Sequence, residues 1–170
     1  MTESNIFPGQ DRLGSLLERA HQKNPALDKN SLIISLTVAE YVARVGRLLN
    51  EHFASFGLSQ GRFVILMTLY LYEEEDITAQ SFVEGQGVSK PTISSLIKKL
   101  QAEGLVTRVQ CQQDKRRQFI KITKGGKKVM AKVMPEHQAI IKEAFADVSL
   151  KEFQRFEETF QLLLKSFMRI

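Results

Sequence analysis

Lysine, arginine and hydroxyl side chains are concentrated between Ser89 and Lys128. Eleven of the protein's 24 lysines and arginines fall in these forty residues with only two acids, so the segment carries a net charge of +9. The other 130 residues hold 13 bases and 17 acids, a net charge of −4. A basic block inside a slightly acidic chain is the charge pattern expected for contact with a phosphate backbone. A solvated lysine-rich face is the alternative.

A helix predicted from Lys90 to Glu103 would separate these polar groups from an apolar side. At about 100° per residue, one stripe consists of Ile93, Leu96, Ile97 and Leu100. The opposite side carries Pro91, Thr92, Ser94, Ser95, Lys98 and Lys99. Hydroxyl groups exchange hydrogen bonds with base edges and phosphates, and lysines reach phosphates or guanine acceptors. This face therefore fits the major groove of DNA, with an ordinary amphipathic surface helix as the alternative.

Two extended runs rich in Val, Ile, Phe and Thr follow this helix, at residues 105–111 and 117–122. The polar loop between them predicts a β-hairpin whose tip is basic at Lys115, Arg116 and Arg117. Such a tip can enter a minor groove or grip phosphates beside the helix. We interpret Asp114 both as a turn-forming residue and as a group that positions a loop arginine.

Capping residues and apolar periodicity place the elements that must position these groups. A short helix capped by Thr78 ends near Gly85 and Gly87, and Ser89 caps the next helix, so the pair forms a helix-turn-helix. Further helices are expected from Asp11 to Ala20, from the cap Ser31 to about Ser55, and after the caps Ser59, Thr123 and Ser149. The predicted fold is mainly α with a small β-wing.

Apolar residues outside the central module predict a dimer. The helix after Ser31 is apolar along one stripe, and the last helix aligns Phe153, Phe156, Phe160 and Phe167. Together they present more large apolar surface than a small central module can cover, and such faces usually bury against a partner. Packing of these helices on one another within one chain is the alternative.

Several segments, in order, resemble the multiple antibiotic resistance regulator (MarR) family of winged helix-turn-helix proteins. Residues 58–66 resemble the second helix of that family, and residues 88–94 and 100–106 resemble its recognition helix and first wing strand. The pattern D-x-R-x₅-[LI]-T-x-x-G is met by Asp114, Arg116, Ile122, Thr123 and Gly126. The resemblance covers roughly Ser31 to Ile170.

The resemblance implies a homodimer that binds a palindromic operator in double-stranded DNA, with one recognition helix in each half-site. It also implies that a small phenolic or other aromatic ligand modulates DNA affinity, and we expect a repressor. Carried over, Ser89, Lys90, Thr92, Ser94, Ser95 and Lys98 approach the major groove. Arg116 enters the minor groove with Asp114 orienting it, and Lys115 and Arg117 contact phosphates.

We accordingly expect three regions in the chain. Residues 58–122 form the winged helix-turn-helix domain, and residues 31–57 and 123–170 form a helical dimerisation region. Residues 1–30 form an N-terminal extension to which the sequence assigns no role. No run approaches the length of a membrane span, and the first eleven residues lack the basic start and apolar stretch of a signal peptide. A single cysteine fits a reducing compartment, so we expect a cytoplasmic protein.

Other classes of function find less support. The chain lacks a pattern of paired catalytic carboxylates, a Gly-rich phosphate loop or a Cys–His arrangement, so no enzyme is expected. His21, His52 and His137 lack metal-ligand spacing, so no metal or other cofactor is expected. Redox-sensing MarR members use a cysteine near the N-terminus, whereas Cys111 lies in the wing strand, so peroxide sensing by that route is not expected. A thiol made reactive by nearby arginines is the alternative. A winged-helix adaptor that binds protein rather than DNA remains the alternative.

Overall fold

The structure is a computed structural model that describes residues 18–169, with only the backbone described for Gln86. Its elements in chain order are α1 (Lys29–Ala54), α2 (Gln60–Leu71), α3 (Ala79–Gln86), α4 (Lys90–Ala102), β1 (Val106–Gln110), β2 (Gln118–Ile122), α5 (Lys124–Ala144) and α6 (Leu150–Phe167). Most of the helix predicted over residues 11–20 lies outside the described residues. The described part of that segment is helical over residues 18–23. The prediction of a mainly helical chain with a two-stranded wing is confirmed.

The chain divides into two compact units between Gln60 and Gly61. In the first, Asp28 caps the start of α1, and its carboxylate accepts hydrogen bonds from the amides of Asn30 and Ser31, both at 3.2 Å. The prediction that Ser31 caps this helix was wrong, because the Ser31 hydroxyl itself donates to the Asp28 carboxylate. That hydroxyl, together with the two amides, lowers the pKa of Asp28.

Most of the apolar surface of α1 is exposed within this chain. Phe53 is the helix's one buried residue among those that the structure describes. Its large exposed apolar side chains are Ile33, Ile34, Tyr41, Val42, Val45 and Leu48. A helix of 26 residues with this much apolar surface in contact with water needs a further surface to cover it.

The core of the second unit is built from the helix-turn-helix, the wing and the first half of α5. Buried apolar side chains come from α2, α4, both strands and α5, and they include Phe63, Leu66, Ile93, Ile97, Leu100, Val106, Ile120, Met130 and Val133. Both strands of the wing thus turn at least one side chain into this core, which ties the wing to α4.

The wing is an antiparallel hairpin in which Val106 pairs with Ile122 at the base and Gln110 pairs with Gln118 near the tip. A second contact flanks β2 on its other side. There the amide of Ile120 donates to the carbonyl of Ile77 at 2.8 Å, and Thr78 forms an isolated bridge with Phe119. The loop between α2 and α3 therefore runs beside β2 for a short distance, much as a third strand would.

A threonine and a glycine join the base of the wing to the start of α5. The Thr123 hydroxyl donates to the carbonyl of Gly104 at 2.7 Å and accepts from the amide of Gly126 at 3.1 Å, which confirms Thr123 as a helix cap. A Cβ on Gly126 would stand 2.3 Å from the Leu105 carbonyl oxygen and 2.6 Å from Ile122 Cγ1. The glycine is therefore required for this close approach.

The last helix, α6, begins with the predicted capping box. The Glu152 amide donates to the Ser149 hydroxyl, and the Glu152 carboxylate accepts from the Ser149 amide at 2.9 Å. The Ser149 hydroxyl and amide lower the pKa of Glu152. Among the described residues of α6, none is buried in this chain, and its large exposed apolar residues are Leu150, Phe153, Phe156, Leu162, Leu164 and Phe167.

Candidate nucleic-acid interface

The helix-turn-helix positions α4 through one tight connection. Gly87 ends α3 with φ +62°, a left-handed conformation that glycine adopts without steric cost, and α4 begins three residues later. Ser89 occupies the N-cap position with extended backbone, but its hydroxyl lies 2.9 Å from the Thr92 hydroxyl and makes no capping bond to an amide. Pro91 lies in the first turn, where its missing N–H leaves no helix bond unmade.

The two faces of α4 agree with the helical wheel. Ile93, Ile97 and Leu100 are fully buried, and Leu96 packs so closely on Gly61 that a Cβ there would stand 3.0 Å from a Leu96 methyl. The residues assigned to the DNA face are all exposed, namely Ser89, Lys90, Pro91, Thr92, Ser94, Ser95, Lys98 and Lys99. Hydroxyl groups and lysines are therefore held on one solvent-facing side of a rigidly packed helix.

The wing tip is held in shape by hydrogen bonds from two amides to Asp114. The Asp114 carboxylate accepts a hydrogen bond from the Arg116 amide at 2.9 Å, and the Asp114 carbonyl accepts from the Arg117 amide at 2.9 Å. Asp114 is thus a turn-forming residue, and it orients Arg116 through the main chain. Lys115, Arg116 and Arg117 are exposed, and the Arg117 guanidinium lies 5.8 Å from the centre of the Phe119 ring.

An open groove of about 560 Å³ connects α3, the start of α4 and the wing. Four cations line it, Lys90, Arg108, Arg116 and Arg117, against one acid, Glu84. Arg108 is not among the site residues predicted from the sequence. It lies in β1 opposite Ile120 and donates to the Gln118 side chain at 3.2 Å. The strand register brings it beside the wing arginines, and from the sequence it was only one of eleven bases.

Two other lysines of the basic block point to acids instead. The acidic loop, Glu73–Asp76, lies between α2 and α3. Lys121 lies 3.2 Å from the Asp76 carboxylate, and Lys127 forms an ion pair with Glu73. These two bases add less to the positive surface than the sequence count suggests.

A further ion pair supports α4 at its far end. Arg62, near the start of α2, pairs with Glu103 at the C-cap of α4, and the Arg62 side chain is only 11% exposed. Because the pair joins two helices within one compact unit, it helps to fix the angle of α4 against α2.

In the part of the chain that the structure describes, no group of three His, Cys, Asp or Glu could hold a metal, and no helix is long and apolar enough to cross a membrane.

Known proteins share this architecture. The family model "Transcriptional regulator SarA/Rot" matches residues 47–133. The HTH-type transcriptional repressor YetL of Bacillus subtilis (strain 168) is 28% identical over 130 residues, which are 76% of this chain and 78% of that protein. The HTH-type transcriptional regulator PapX of Escherichia coli is 18% identical over 160 residues, 94% of this chain and 98% of that protein.

Solved structures agree. AbsC, a MarR family transcriptional regulator from Streptomyces coelicolor, matches with a TM-score of 0.75 at 22% identity, over 85% of this chain and 98% of that chain. MepR of S. aureus, solved in a complex with DNA, matches with a TM-score of 0.70 at 18% identity, over 78% and 95% of the two chains. The winged helix-turn-helix fold and the resemblance to MarR regulators are confirmed.

Proposed function

This chain belongs to the SarA/Rot family of transcriptional regulators, and from that premise we propose that it is a homodimeric repressor that binds a palindromic operator through α4 and the wing. Its relatives and its fold are those of transcriptional regulators, which are not enzymes. The observation that carries the proposal is the basic groove, in which cations from α4, β1 and the wing tip line one continuous surface.

The contacts divide by chemistry. The exposed hydroxyls and lysines of α4, with Lys98 at their centre, read base edges and phosphates in the major groove. Arg116 at the wing tip enters the adjacent minor groove. Lys90, Arg108 and Arg117 face the phosphate backbone between those two points. The acidic partner of Arg62 lies at the other end of α4, so it does not compete with DNA for these cations.

Dimer formation is supported by the two exposed apolar faces. Phe156 and Phe167 of α6 are 63% and 61% exposed, and Val42 of α1 is 63% exposed. An amphipathic helix with no buried residue gains little from folding alone, so a partner surface is needed. In our proposal residues 31–57 and 123–170 supply that surface to a second copy, while residues 58–122 bind DNA. A two-fold dimer places two α4 helices on half-sites about 34 Å apart.

Repression is supported by the relative YetL, which is itself named a repressor. Release of DNA by a small aromatic ligand rests on the resemblance to MarR regulators alone. Both belong to the proposal of a cytoplasmic regulator.

A salt titration of duplex binding tests the proposal. Footprinting on the protein's own upstream region first locates the operator, with and without a panel of aromatic acids. Fluorescence anisotropy then measures the dissociation constant as salt rises. The logarithm of the association constant should fall linearly with the logarithm of the salt concentration, with a slope of about −0.9 for each phosphate contacted. Absence of duplex binding, or binding that salt does not weaken, would refute DNA binding and favour the protein adaptor.

A pair of matched variants sharpens the test. Arg116→Ala should weaken operator binding with little change in thermal stability, because the wing tip is exposed. Lys165→Ala removes the same charge from the polar side of α6 and should leave binding unchanged. Equal effects of the two substitutions would mean that net charge alone governs binding and that the wing makes no specific contact.

A further inference from the structure

We propose that the acidic loop, Glu73–Asp76, anchors the outer edge of the wing, and that Lys121 is a positioning residue for DNA binding. The role in DNA binding rests on the proposed function. The anchor itself is a separate structural claim. The charge pattern of the sequence predicts that the basic block as a whole contacts phosphate. The anchor instead gives Lys121 a structural role.

The ammonium group of Lys121 is surrounded by acceptors from this loop. Its Nζ lies 2.7 Å from the carbonyl oxygen of Glu75, 3.4 Å from that of Glu73 and 3.2 Å from the Asp76 carboxylate. An ammonium group has three N–H donors, so these three oxygens match its capacity. The Lys121 side chain is only 28% exposed. Its charge is therefore directed to the loop, and phosphate would have to displace these contacts.

The main chain reinforces the same attachment. Next to Lys121 in β2, the Ile120 amide donates to the Ile77 carbonyl at 2.8 Å, and Ile77 directly follows the acidic loop. From the other side, Lys127 in the first turns of α5 pairs with Glu73. One loop thus holds both β2 and the start of α5.

The consequence for DNA binding follows from chain connectivity. Thr78 caps α3 only two residues after Asp76, and α3 leads through Gly87 into α4. Fixing β2 to this loop therefore fixes the wing relative to the helix-turn-helix. If the loop releases β2, the fraction of molecules with the wing in its binding position falls, and the apparent dissociation constant rises in inverse proportion to that fraction.

Two substitutions in the loop separate the anchor from a purely electrostatic role. Both Asp76→Asn and Glu74→Gln remove one negative charge from the same four residues. Asp76 contacts Lys121, whereas Glu74 makes no hydrogen bond or ion pair within residues 18–169. Loss of a negative charge by itself favours a DNA complex, so a purely electrostatic role predicts tighter binding for both. The anchor predicts that Asp76→Asn weakens binding by about threefold, while Glu74→Gln leaves it equal or slightly tighter.

Lys121 is tested in the same duplex assay. Lys121→Met should weaken binding by about tenfold because it removes three charge-assisted contacts, and Lys121→Arg should recover most of that loss. In the Lys121→Met background, Asp76→Asn should cause no further loss, since the pair acts as one unit. Tighter binding by Asp76→Asn, or additive losses in the double variant, would overturn the anchor. So would a Lys121→Met protein that melts earlier but binds duplex normally at a temperature where it is folded.

Hydrogen exchange tests the anchor without DNA. In Lys121→Met the Ile120 amide should exchange about tenfold faster. The Thr123 amide, which donates to the Leu105 carbonyl at the base of the wing, should keep its rate. If the wild type binds no duplex but Ile120 responds in this way, the proposed function fails and the anchor stands. Unchanged exchange at Ile120 would refute the anchor whatever the protein binds.

Discussion

Replacing Gly126 by alanine is expected to destabilise the protein, although alanine is the better helix former. Gly126 is the third residue of α5, at the point where that helix meets the base of the wing. An added Cβ would stand 2.3 Å from the Leu105 carbonyl oxygen and 2.6 Å from Ile122 Cγ1. The first neighbour is main chain and the second belongs to a buried strand residue. Neither can move aside cheaply, so α5 must shift away by roughly 1 Å.

The size of the effect can be worked out from opposing terms. Forcing an extra carbon into a packed site costs about 1–3 kcal/mol. The helical preference of alanine over glycine returns up to about 1 kcal/mol. The expected net loss is about 1–2 kcal/mol, which lowers the unfolding midpoint of a chain this size by about 2–8 °C. The shift would also strain the Thr123 hydrogen bonds that join the wing to α5.

The adjacent glycine provides a matched control. A Cβ on Gly125 would stand 3.3 Å from the Gly104 carbonyl oxygen and 3.4 Å from the Thr123 hydroxyl, so these neighbours would have to move by only a few tenths of an ångström. Gly125→Ala should therefore change stability far less than Gly126→Ala, because the helical preference of alanine, up to about 1 kcal/mol, offsets this small adjustment. Thermal unfolding followed by circular dichroism, at one protein concentration because a dimer's midpoint depends on it, compares the two. A Gly126→Ala protein as stable as Gly125→Ala would refute the steric argument.

Other predictions concern the DNA face, the dimer and pH. Lys98→Ala should reduce the salt slope by about 0.9 if Lys98 contacts a phosphate, or relax sequence preference if it reads a base, and an unchanged isotherm would remove Lys98 from the site. Phe156→Glu should sediment as a monomer at concentrations where the wild type and Glu157→Gln are dimers, because Phe156 is exposed in a single chain. The lowered pKa of Glu152 means that its carboxylate stabilises the start of α6 above pH 4.5, the ordinary pKa, and that this contribution is lost as pH falls through the lowered value. Acid unfolding curves should show this loss for the wild type but not for Glu152→Gln, and parallel curves would contradict it.

The features that could be predicted from the sequence depend on neighbours along the chain. The cap at Thr78, the capping box at Ser149 and the buried stripe of α4 all follow from residues within one or two helical turns. The cap of α1 shows the limit of such reasoning. Asp28 and Ser31 are both good capping residues, and the choice between them depended on which side chain bonds the other.

Long-range pairing accounts for what the sequence did not reveal. Lys121 and Lys127 contact an acidic loop that lies about fifty residues earlier in the chain. Counting charge along the sequence assigned both lysines to the DNA surface. Arg108 shows the opposite error, because only the β1–β2 register brings it into the groove with Arg116 and Arg117. Composition therefore located the basic surface correctly as a region but not residue by residue.

The wing is attached to the rest of the second unit by two kinds of chemistry, and these should separate in experiments. At its base, Gly126 packs against buried backbone, so disturbing it costs global stability. At its outer edge, Lys121 and Asp76 are 28% and 63% exposed, and partly exposed ion pairs contribute little to global stability. Lys121→Met and Asp76→Asn should thus lower DNA affinity with almost unchanged unfolding midpoints, whereas Gly126→Ala should lower the midpoint. If the wing unfolds together with the core, the three variants cannot be distinguished in this way. A decrease of the unfolding midpoint and of the DNA affinity in the same proportion for all three would therefore mean that the outer edge has no separate role in positioning the wing.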